Sequence, residues 1–407
     1  MSTTEFIKFT KQFSFYMIIW RKNLFIVWFC QFLAMIGMSA VVPFLPLYIR
    51  DLGVTELNET AMWSGLVFAG PFFVSFFLTP VWGSMGDKYG RKVMTLRAVF
   101  GLAIAQILVG FSQNVTHLFL IRLLQGALSG FLPAAMALVA SNTPEEKTGY
   151  ALGLLQSSTA AGTVLGPLIG GVLSDLFGFR FVFFCVGGLL VITGILLLIL
   201  VKEEKRVDGI KTYSFMKNWK YLLSNKYLRT SALLITLTAL GFAYVRPIFV
   251  LYVETFNINS EILPTVTGFL YSIMGVFSVF SAAWWGKRVE KSGVRKNLFI
   301  ASLITALMYT AHSFVNDPIT LIPIRMILGF GFGALMPLLF TTISNGVSFE
   351  RKGGVLGVAS SFQIFGNMIG PILGGYAAGV VGIKTSFFLT GGVFFLIALI
   401  IFFRFKD

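Results

Sequence analysis

Twelve long apolar runs constrain this chain more than any other feature of its sequence. A helix needs roughly 20 consecutive, mostly apolar residues to cross the hydrocarbon core of a bilayer. The predicted crossings are residues 24–48, 63–84, 94–112, 117–141, 149–175, 179–201, 228–254, 264–286, 297–315, 319–344, 353–379 and 384–404. Only 12% of the residues are charged and 56% are hydrophobic, so most of the surface must face lipid. We therefore predict an all-α, polytopic membrane protein with twelve transmembrane helices.

Lys and Arg residues favour alternate connections between these runs. Most of the 32 basic residues lie in or beside one set of connections: the N-terminus through Lys22, residues 88–97, Lys147, residues 202–229, 287–296 and 351–352, and the tail. The other set holds Arg50, Arg180 and Lys384. By the positive-inside rule, this predicts that both termini lie in the cytoplasm. We expect a multi-pass protein of the plasma (inner) membrane. The net charge of +15 does not indicate binding to nucleic acid, because such a protein collects its basic residues in one folded patch.

The longest and most charged connection divides the chain near its midpoint. It predicts four parts: a cytoplasmic N-terminal segment over 1–23, a six-helix bundle over 24–201, a cytoplasmic linker over 202–227 and a second six-helix bundle over 228–407. The first and third parts carry apolar residues at helical spacing among basic ones. Each can therefore form a helix that lies on the inner membrane surface.

The two halves repeat one another at an offset of 203 or 204 residues. The matches are Gly83, Asp87, Lys88 and Gly90 with Gly286, Glu290, Lys291 and Gly293; Arg122, Gly126 and Gly130 with Arg325, Gly329 and Gly333; Gly162, Gly166, Pro167, Gly170 and Gly171 with Gly366, Gly370, Pro371, Gly374 and Gly375; and Pro43, Leu47 and Tyr48 with Pro247, Leu251 and Tyr252. Two similar bundles of this kind enclose a site near the bilayer midplane and rock to expose it to each side in turn. The repeat therefore predicts a transporter.

Three motifs carry a resemblance to a known family. Residues 83–92 read GSMGDKYGRK, close to the pattern G-x-L-A-D-x-x-G-R-[KR]. Residues 122–126 read RLLQG, like R-x-x-Q-G, and residues 162–171 read GTVLGPLIGG, like the antiporter signature of exporters. On these residues, and over nearly its whole length, the chain resembles the major facilitator superfamily. Within that family it is similar to the twelve-helix drug/proton antiporters and the bacterial multidrug exporters.

The first motif, residues 83–92, can be interpreted from its chemistry, and the resemblance implies a role for it. Gly83 and Gly90 allow a tight turn, and Asp87 can face a helix N-terminus, where a carboxylate is favoured by up to about 2 kcal/mol. In the family this motif is a conformational latch that meets the start of the eleventh helix and favours the outward-open state. The resemblance places that latch here on Gly83, Asp87, Gly90, Arg91 and Lys92.

The second and third motifs lie within predicted crossings. A lipid-facing charge costs a few kcal/mol or more, so Arg122 should face the interior or reach outward to the membrane surface. The resemblance implies a role for Arg122 in proton coupling, with Asp87 as the other candidate. Glycines four apart let helices approach closely, and a proline bends its helix. The residues Gly162, Gly166, Pro167, Gly170 and Gly171 therefore predict close packing and a hinge, and the resemblance implies export.

Arg246 is the most individual candidate for substrate binding. It stands beside Pro247, where the matching first-half residue is Val42, and lies roughly 12 Å from the outer end of its helix at Glu254. We hypothesise that Arg246 faces the central cavity and attracts an anionic group; an outward-reaching or structurally paired arginine is the alternative. By analogy with the family, Gln31, Tyr244, Gln156 and Gln363 are further lining candidates. Each could instead make a hydrogen bond between helices.

The chain departs from the family in one respect. Many drug/proton antiporters carry protons on an intramembrane carboxylate, whose pKa must be raised by burial to titrate near neutrality. No Asp or Glu lies in the middle of a predicted crossing, so proton coupling is an expectation from the resemblance alone.

The leading prediction is an exporter of small amphipathic organic compounds driven by protons, acting as a monomer. The alternatives are an exporter of an anionic metabolite, such as a carboxylate siderophore, and a lipid flippase or nutrient importer on the same fold. We expect no enzyme activity, metal or cofactor, because Cys30, Cys185, His117 and His312 form no catalytic or ligand constellation. The sequence also has no P-loop for ATP.

Overall fold

The computed structural model describes residues 3–203 and 215–404, without the side chains of 3–19, Asp87, Glu145, Phe215, Phe349 and Glu350. The α-helices in this part of the chain are α1 Thr3–Ala40, α2 Leu45–Asp51, α3 Leu57–Tyr89, α4 Arg91–Gly110, α5 Val115–Leu128, α6 Phe131–Asn142, α7 Thr148–Phe177, α8 Phe179–Leu200, α9 Phe215–Ser224, α10 Lys226–Val245, α11 Phe249–Glu254, α12 Leu263–Ser292, α13 Val294–His312, α14 Pro318–Asn345, α15 Phe349–Val381 and α16 Ile383–Arg404. We call the end of the bundle where α1 begins and α16 ends the terminal face, and the opposite end the distal face.

The helices account for the predicted crossings. Eleven spans within the described residues are long and apolar enough to cross a membrane. The predicted crossing over 297–315 falls on α13, which starts with polar residues and therefore scores as less apolar. It packs on α16 as α4, one of the eleven, packs on α8. Because α13 holds the place of α4 in the repeat, it supplies the twelfth helix of an all-α membrane fold.

Three of the predicted crossings are each divided into two helices, two of them at a proline and one at a glycine. The predicted crossing 24–48 splits into α1 and α2 around Pro43, and 228–254 splits into α10 and α11 around Pro247. A proline has no backbone N–H to continue the helix. The crossing 117–141 divides into α5 and α6 at Gly130, whose φ is 109°. Only a residue without Cβ adopts this conformation without strain.

The two segments predicted as amphipathic surface helices are both helical, but each is joined to the bundle more closely than a surface helix would be. The N-terminal segment continues into the first crossing as one helix, α1, rather than forming a separate one. Helix α9 forms as predicted at the end of the linker, but it buries Leu222 and Asn218 against the second half. Its Trp219 stacks on Phe362 of α15 at 4.9 Å between ring centroids. Tertiary packing therefore holds α9 in addition to any contact with the membrane surface.

The sequence repeat is reproduced as a repeat of contacts. Trp82 donates to the Ala127 carbonyl at 2.9 Å, and its second-half counterpart Trp285 donates to the Phe330 carbonyl at 2.8 Å. The tyrosines Tyr48 and Tyr252 donate to the equivalent carbonyls of Val109 and His312. Both halves thus use the same hydrogen bonds at the same offset, as expected of a duplicated six-helix unit.

Glycines let the helices within each half approach to backbone contact. A Cβ on Gly162, Gly166 or Gly170 of α7 would meet backbone atoms of α1. The equivalent glycines of α15, which are Gly366, Gly370 and Gly374, face α10 in the same way. Lipid offers no hydrophobic drive for helix association, so such close van der Waals packing is a main source of stability.

The two halves meet through two equivalent helix pairs. On one side, α7 packs on α12, with Gly171 against the Pro264 carbonyl and Gly268 against the Pro167 carbonyl. On the other side, α15 packs on α3, with Gly375 against Ala61 and Gly65 against Pro371. All these residues lie toward the distal face. The pseudo-symmetric halves are therefore closed against each other at that end.

Toward the terminal face the same helices separate. Gly153 precedes Gly171 by about five helical turns and so points from the same side of α7. Among the described residues, a Cβ on Gly153 would nevertheless meet no atom of another helix within 4 Å, and the same holds for its counterpart Gly357 on α15. A crevice between the halves therefore opens toward the terminal face.

Polar contacts reinforce the distal closure. Arg50 at the end of α2 donates two hydrogen bonds to the Glu254 carboxylate at the end of α11, at 2.6 and 2.8 Å. These two residues occupy equivalent positions of the repeat, so the ion pair crosses the pseudo-symmetry axis. Asp175 of α7 accepts a hydrogen bond at 2.9 Å from the backbone N–H of Thr265, in the first turn of α12. A carboxylate is favoured there because the N–H groups of a helix start are unpaired.

A matched pair of substitutions tests the glycine packing. Gly166→Ala places a Cβ against the Ile36 carbonyl and Ser39, whereas Gly153→Ala places one in open space. We expect Gly166→Ala to destabilise the protein by about 1–3 kcal/mol, because backbone atoms must move to accept the new methyl group. Thermal unfolding in detergent measures the difference, and equal melting temperatures for the two variants would contradict the packing described.

Charge reversal tests the distal ion pair. Arg50→Glu should increase the population of molecules open at the distal face severalfold, since a half-exposed pair contributes about 0.2–1 kcal/mol and the reversal replaces attraction with repulsion. The double variant Arg50→Glu with Glu254→Arg should restore the original distribution. Spin-label distances across the distal face report it. A double variant that behaves like the single one would show that the pair is incidental.

Candidate functional site

Arg246 lies in the distal third of the crevice-forming helices, where α10 ends before Pro247. Its side chain is half-buried, and its guanidinium carbon lies 4.9 Å from the centre of the Phe242 ring. The Tyr271 hydroxyl donates to the Arg246 backbone carbonyl at 3.5 Å. Among the described residues, no carboxylate or hydrogen-bond acceptor pairs with the guanidinium itself. The arginine is therefore held by aromatic contacts with its charge uncompensated.

A second arginine stands close by in the same half. Arg325 of α14 is only 2% exposed, donates from Nε to the Leu270 carbonyl at 3.0 Å, and lies 4.1 Å from the Phe249 ring. Its Nη2 atom is buried without a hydrogen-bond partner. Tyr271 also contacts this guanidinium, at 5.2 Å. We call Arg246, Phe249, Tyr271 and Arg325 the basic–aromatic cluster.

The first half keeps only one part of this arrangement. Arg122 donates from Nε to the Val67 carbonyl at 3.1 Å, which is the counterpart of the Arg325 bond. Its Nη1 atom donates to Gln125 at 2.7 Å, and the side chain is buried, so it does not reach outward to the membrane surface. The residues that match Arg246 and Tyr271 in the first half are Val42 and Phe68. The cluster is therefore a feature of the second half alone.

Two of the predicted lining residues serve as packing residues instead. Gln31 is fully buried and donates to the Leu155 carbonyl at 3.0 Å and to Thr159 at 2.7 Å, between α1 and α7. Tyr244 is buried as well, and its hydroxyl has no hydrogen-bond partner among the described residues. Neither side chain reaches the crevice in this conformation, because each faces a neighbouring helix of its own half.

The other two lining candidates are accessible. Gln156 is exposed on α7, where its Nε2 atom lies 3.7 Å from the Met136 sulfur. Gln363 is half-buried on α15. Gln156 lies about eight residues from the start of α7, whereas Arg246 lies about twenty from the start of α10. At helical rise the two differ in depth by roughly 18 Å, so the fold does not bring them into one contact set.

The loop at Gly90 is tied to the end of α8 by a residue that the motif does not contain. Gly90 separates α3 from α4 with a φ of 98°. The Glu203 carboxylate accepts hydrogen bonds from the backbone N–H groups of Arg91 at 2.7 Å and Lys92 at 3.0 Å. The Arg91 and Lys92 side chains donate to the Ala137 and Leu198 carbonyls. These bonds fix the start of α4 within its own half.

Two latch residues differ from the expectation or cannot be placed. Gly83 lies inside α3, six residues before the helix ends, and so does not form the predicted turn; only Gly90 does. The Asp87 side chain lies outside the described residues. The resemblance implies that the latch meets the start of α15. A Cβ on Gly353, near that start, would meet none of the described atoms of other elements within 4 Å. The open crevice explains this, because the latch is expected to engage in the opposite state.

The glycines and proline of the third motif divide between two contacts. Gly162, Gly166 and Gly170 face α1 within the first half, whereas Pro167 and Gly171 lie against α12 of the second half. Pro167 is accommodated inside an unbroken helix. The motif thus joins the packing of one half to the contact between halves, which is where a hinge would act.

Sequence reasoning missed two capping carboxylates and one ion pair that the fold uses. Glu203 and Asp175 cap helix starts that are distant in sequence, and no local pattern marks them as caps. Arg50 and Glu254 were noted only as residues at outer ends. Their opposite charges at equivalent positions of the repeat were a signal, because the pseudo-symmetry axis must bring equivalent positions near each other when the halves close.

No metal site is apparent in the part of the chain that the structure describes. No three His, Cys, Asp or Glu side chains converge there. His312 is buried, with its Nδ1 atom 2.6 Å from the Met308 carbonyl and its ring stacked on Phe387.

Comparisons with known proteins agree with this architecture. The family model of the Major Facilitator Superfamily matches residues 27–284 and 232–407. The chain is 35% identical over 381 residues to the multidrug resistance protein MdtG of Klebsiella pneumoniae (strain 342), covering 92% of this chain and 91% of that protein. It is 36% identical over 375 residues to MdtG of Citrobacter koseri, with 92% of each chain covered.

Solved structures with the same fold are more distant in sequence. The nucleoside transporter NupG superposes with a TM-score of 0.78 at 14% identity, covering 94% of this chain and all of NupG. An inward-facing bacterial homologue of the human lysosomal transporter Spinster gives 0.77 at 15% identity, covering 94% and 96%. Taken with the duplicated six-helix bundle and the crevice between its halves, these matches show that the chain belongs to the major facilitator superfamily of membrane transporters.

Proposed function

We propose that this protein exports small amphipathic organic compounds, drugs among them, across the cytoplasmic membrane by alternating access. The observation that carries the proposal is the contrast along the two contacts between halves. Glycines near the distal face touch backbone across the interface, whereas glycines on the same helix sides near the terminal face meet open space. A rocking motion that closed the halves at the terminal face and separated them at the distal face would open the crevice to the distal side.

The direction and substrate class rest on similarity. The MdtG proteins are named for multidrug resistance, and they match this chain over more than nine tenths of its length. The charge asymmetry of the connections supports cytoplasmic termini, so that the terminal face is the cytoplasmic one. The crevice described here would then admit substrate from the cytoplasm.

We assign the latch, hinge and proton-coupling roles on the basis of the motifs. Asp87, Gly90, Arg91 and Lys92 would close the cytoplasmic side when the distal side opens, with Glu203 holding the start of α4 in place. Residues Gly162 to Gly171 of α7 would act as the hinge. Proton antiport rests on the resemblance to drug/proton antiporters, with Arg122 and Asp87 as candidates, because Arg122 is buried without a carboxylate partner among the described residues.

A second function, export of an anionic metabolite, is favoured by the basic–aromatic cluster. Within the described residues, two guanidinium groups of the second half lack a carboxylate partner, and Arg246 is partly exposed. Burial of an unpaired charge is costly, and an anionic substrate group would relieve that cost. Aromatic contacts keep the two arginines in position without neutralising them.

A transport assay in proteoliposomes separates the two functions. We expect a cationic dye to be accumulated only when a proton gradient is imposed, if amphipathic drugs are the substrates and protons the coupling ion. A polycarboxylate should be accumulated instead if the anionic reading is right. Liposomes without protein are the control. Accumulation of neither solute, with or without the gradient, would count against both.

Substitution of Arg246 tests the anion site directly. Arg246→Ala should lower the transport efficiency for a polycarboxylate about tenfold or more, since a hydrogen bond to a charged group contributes about 1.5–3 kcal/mol. Arg246→Lys should retain part of the activity because it keeps the charge, and a cationic dye should be transported at the original rate. Unchanged transport of every substrate by Arg246→Ala would remove the hypothesis.

A further inference from the structure

A cavity of about 370 Å³ lies at the terminal face, on the outside of the second half. It is formed by the first three turns of α10, the middle of α15 and the last residue of α16. The lining residues that matter here are Lys226, Arg229, Leu233, Phe362, Phe365 and Arg404. This cavity is separate from the basic–aromatic cluster, whose Arg246 lies at the opposite end of α10.

The charged part of the lining carries one sign. Lys226, Arg229 and Arg404 are all exposed, and the described residues that line the cavity include no acidic one. Within the described part of the chain, none of the three has an ion pair or a side-chain hydrogen bond. Three unpaired cations that converge on one cavity produce a local positive potential. An anionic group is the ligand that complements it.

The remainder of the lining is apolar and accessible. Leu233 is 45% exposed and Phe365 is 42% exposed, so both present carbon surface to whatever fills the cavity. Phe362 is held in place from behind by the stacked ring of Trp219. The wall is therefore preformed, which lowers the entropy cost of binding an apolar chain against it.

The charged and apolar parts lie at different depths. Lys226 begins α10 and Arg404 ends α16, so both mark the level of the terminal face. Leu233 lies seven residues further along α10, roughly 10 Å deeper at helical rise. This places the cations at the level of the lipid headgroups and the leucine and phenylalanines at the level of the acyl chains. The positions of the cations and of the apolar side chains thus match those of the headgroup and the acyl chains of an anionic lipid.

We propose that this cavity binds an anionic phospholipid of the surrounding bilayer, with the phosphate among Lys226, Arg229 and Arg404 and the upper acyl chain against Leu233, Phe362 and Phe365. The site goes beyond the proposed transport function and does not depend on it. It adjoins the contact between the halves, because Phe365 packs on Phe76 of α3 with 6.1 Å between ring centroids. The bound lipid thus lies beside the surface along which the halves move.

The test compares phospholipid retained by the purified full-length protein, measured by native mass spectrometry from micelles doped with phosphatidylglycerol or phosphatidylcholine. Each basic side chain near an anionic group strengthens binding about fivefold, so the variant Lys226→Gln, Arg229→Gln, Arg404→Gln should bind phosphatidylglycerol on the order of a hundredfold more weakly. The matched control is Lys287→Gln, Lys291→Gln, Lys296→Gln. It removes the same charge from exposed positions of the terminal face outside the cavity.

We expect the wild type and the control variant to retain phosphatidylglycerol in preference to phosphatidylcholine, and the cavity variant to lose that preference while its melting temperature is kept. Equal loss in the control would overturn the proposal, because it would show general attraction to the surface. Retention by the cavity variant would overturn it as well. A second arm offers dodecyl phosphate to proteoliposomes: transport of it that depends on the three residues would assign the cavity to the substrate path.

Discussion

The contact of helix backbone with helix backbone through glycine is the constraint on which this structure depends. In lipid, association of helices gains nothing from hiding apolar surface, because the solvent is itself apolar. Stability must come from close van der Waals contact, which is possible where Cβ atoms are missing. The glycines of α7 and α15 provide that contact twice, toward α1 and α10 within the halves and toward α12 and α3 between them. The same pattern of glycines therefore packs the helices within each half and forms the contact between the two halves.

Charge placement gives the molecule a closed distal end and, in the described part of the second half, two arginines without a carboxylate partner. The distal end is closed by Arg50 with Glu254 and by Asp175 on the start of α12. Pairs of this kind are weak enough at a half-exposed surface to break in each transport cycle. Below them, Arg325 and Arg246 lie against aromatic rings, and Arg325 also donates to a backbone carbonyl. Because the first half has Val42 and Phe68 at the matching positions, duplicated backbones here carry different chemistry, and the second half is where an anionic group would be recognised.

Features that extend over many residues could be predicted from the sequence, whereas the direction in which a single side chain points could not. The crossings, the repeat and the breaks at Pro43 and Pro247 follow from apolar runs and from the chemistry of proline. Gln31, Tyr244 and Gln156 all appeared as polar residues within crossings, yet only Gln156 is exposed. A helix turns by about 100° per residue, so an error of one or two residues in the orientation of a helix moves a side chain from crevice to packing contact. For the same reason Gly83 was placed in a turn that α3 extends past.

The sequence by itself determined that the chain spans a membrane, that it does so in two equivalent halves, and which glycines, prolines and arginines are equivalent. These properties depend on the composition and periodicity of the sequence, because these decide which segments are more stable in lipid than in water. Only the tertiary structure decided which equivalent positions meet. Arg50 reaches Glu254, Glu203 reaches the start of α4, and Lys226 and Arg404 line one cavity because helices far apart in sequence end at the same face. Such contacts depend on the tilt and separation of helices, and those follow from packing rather than from any local pattern.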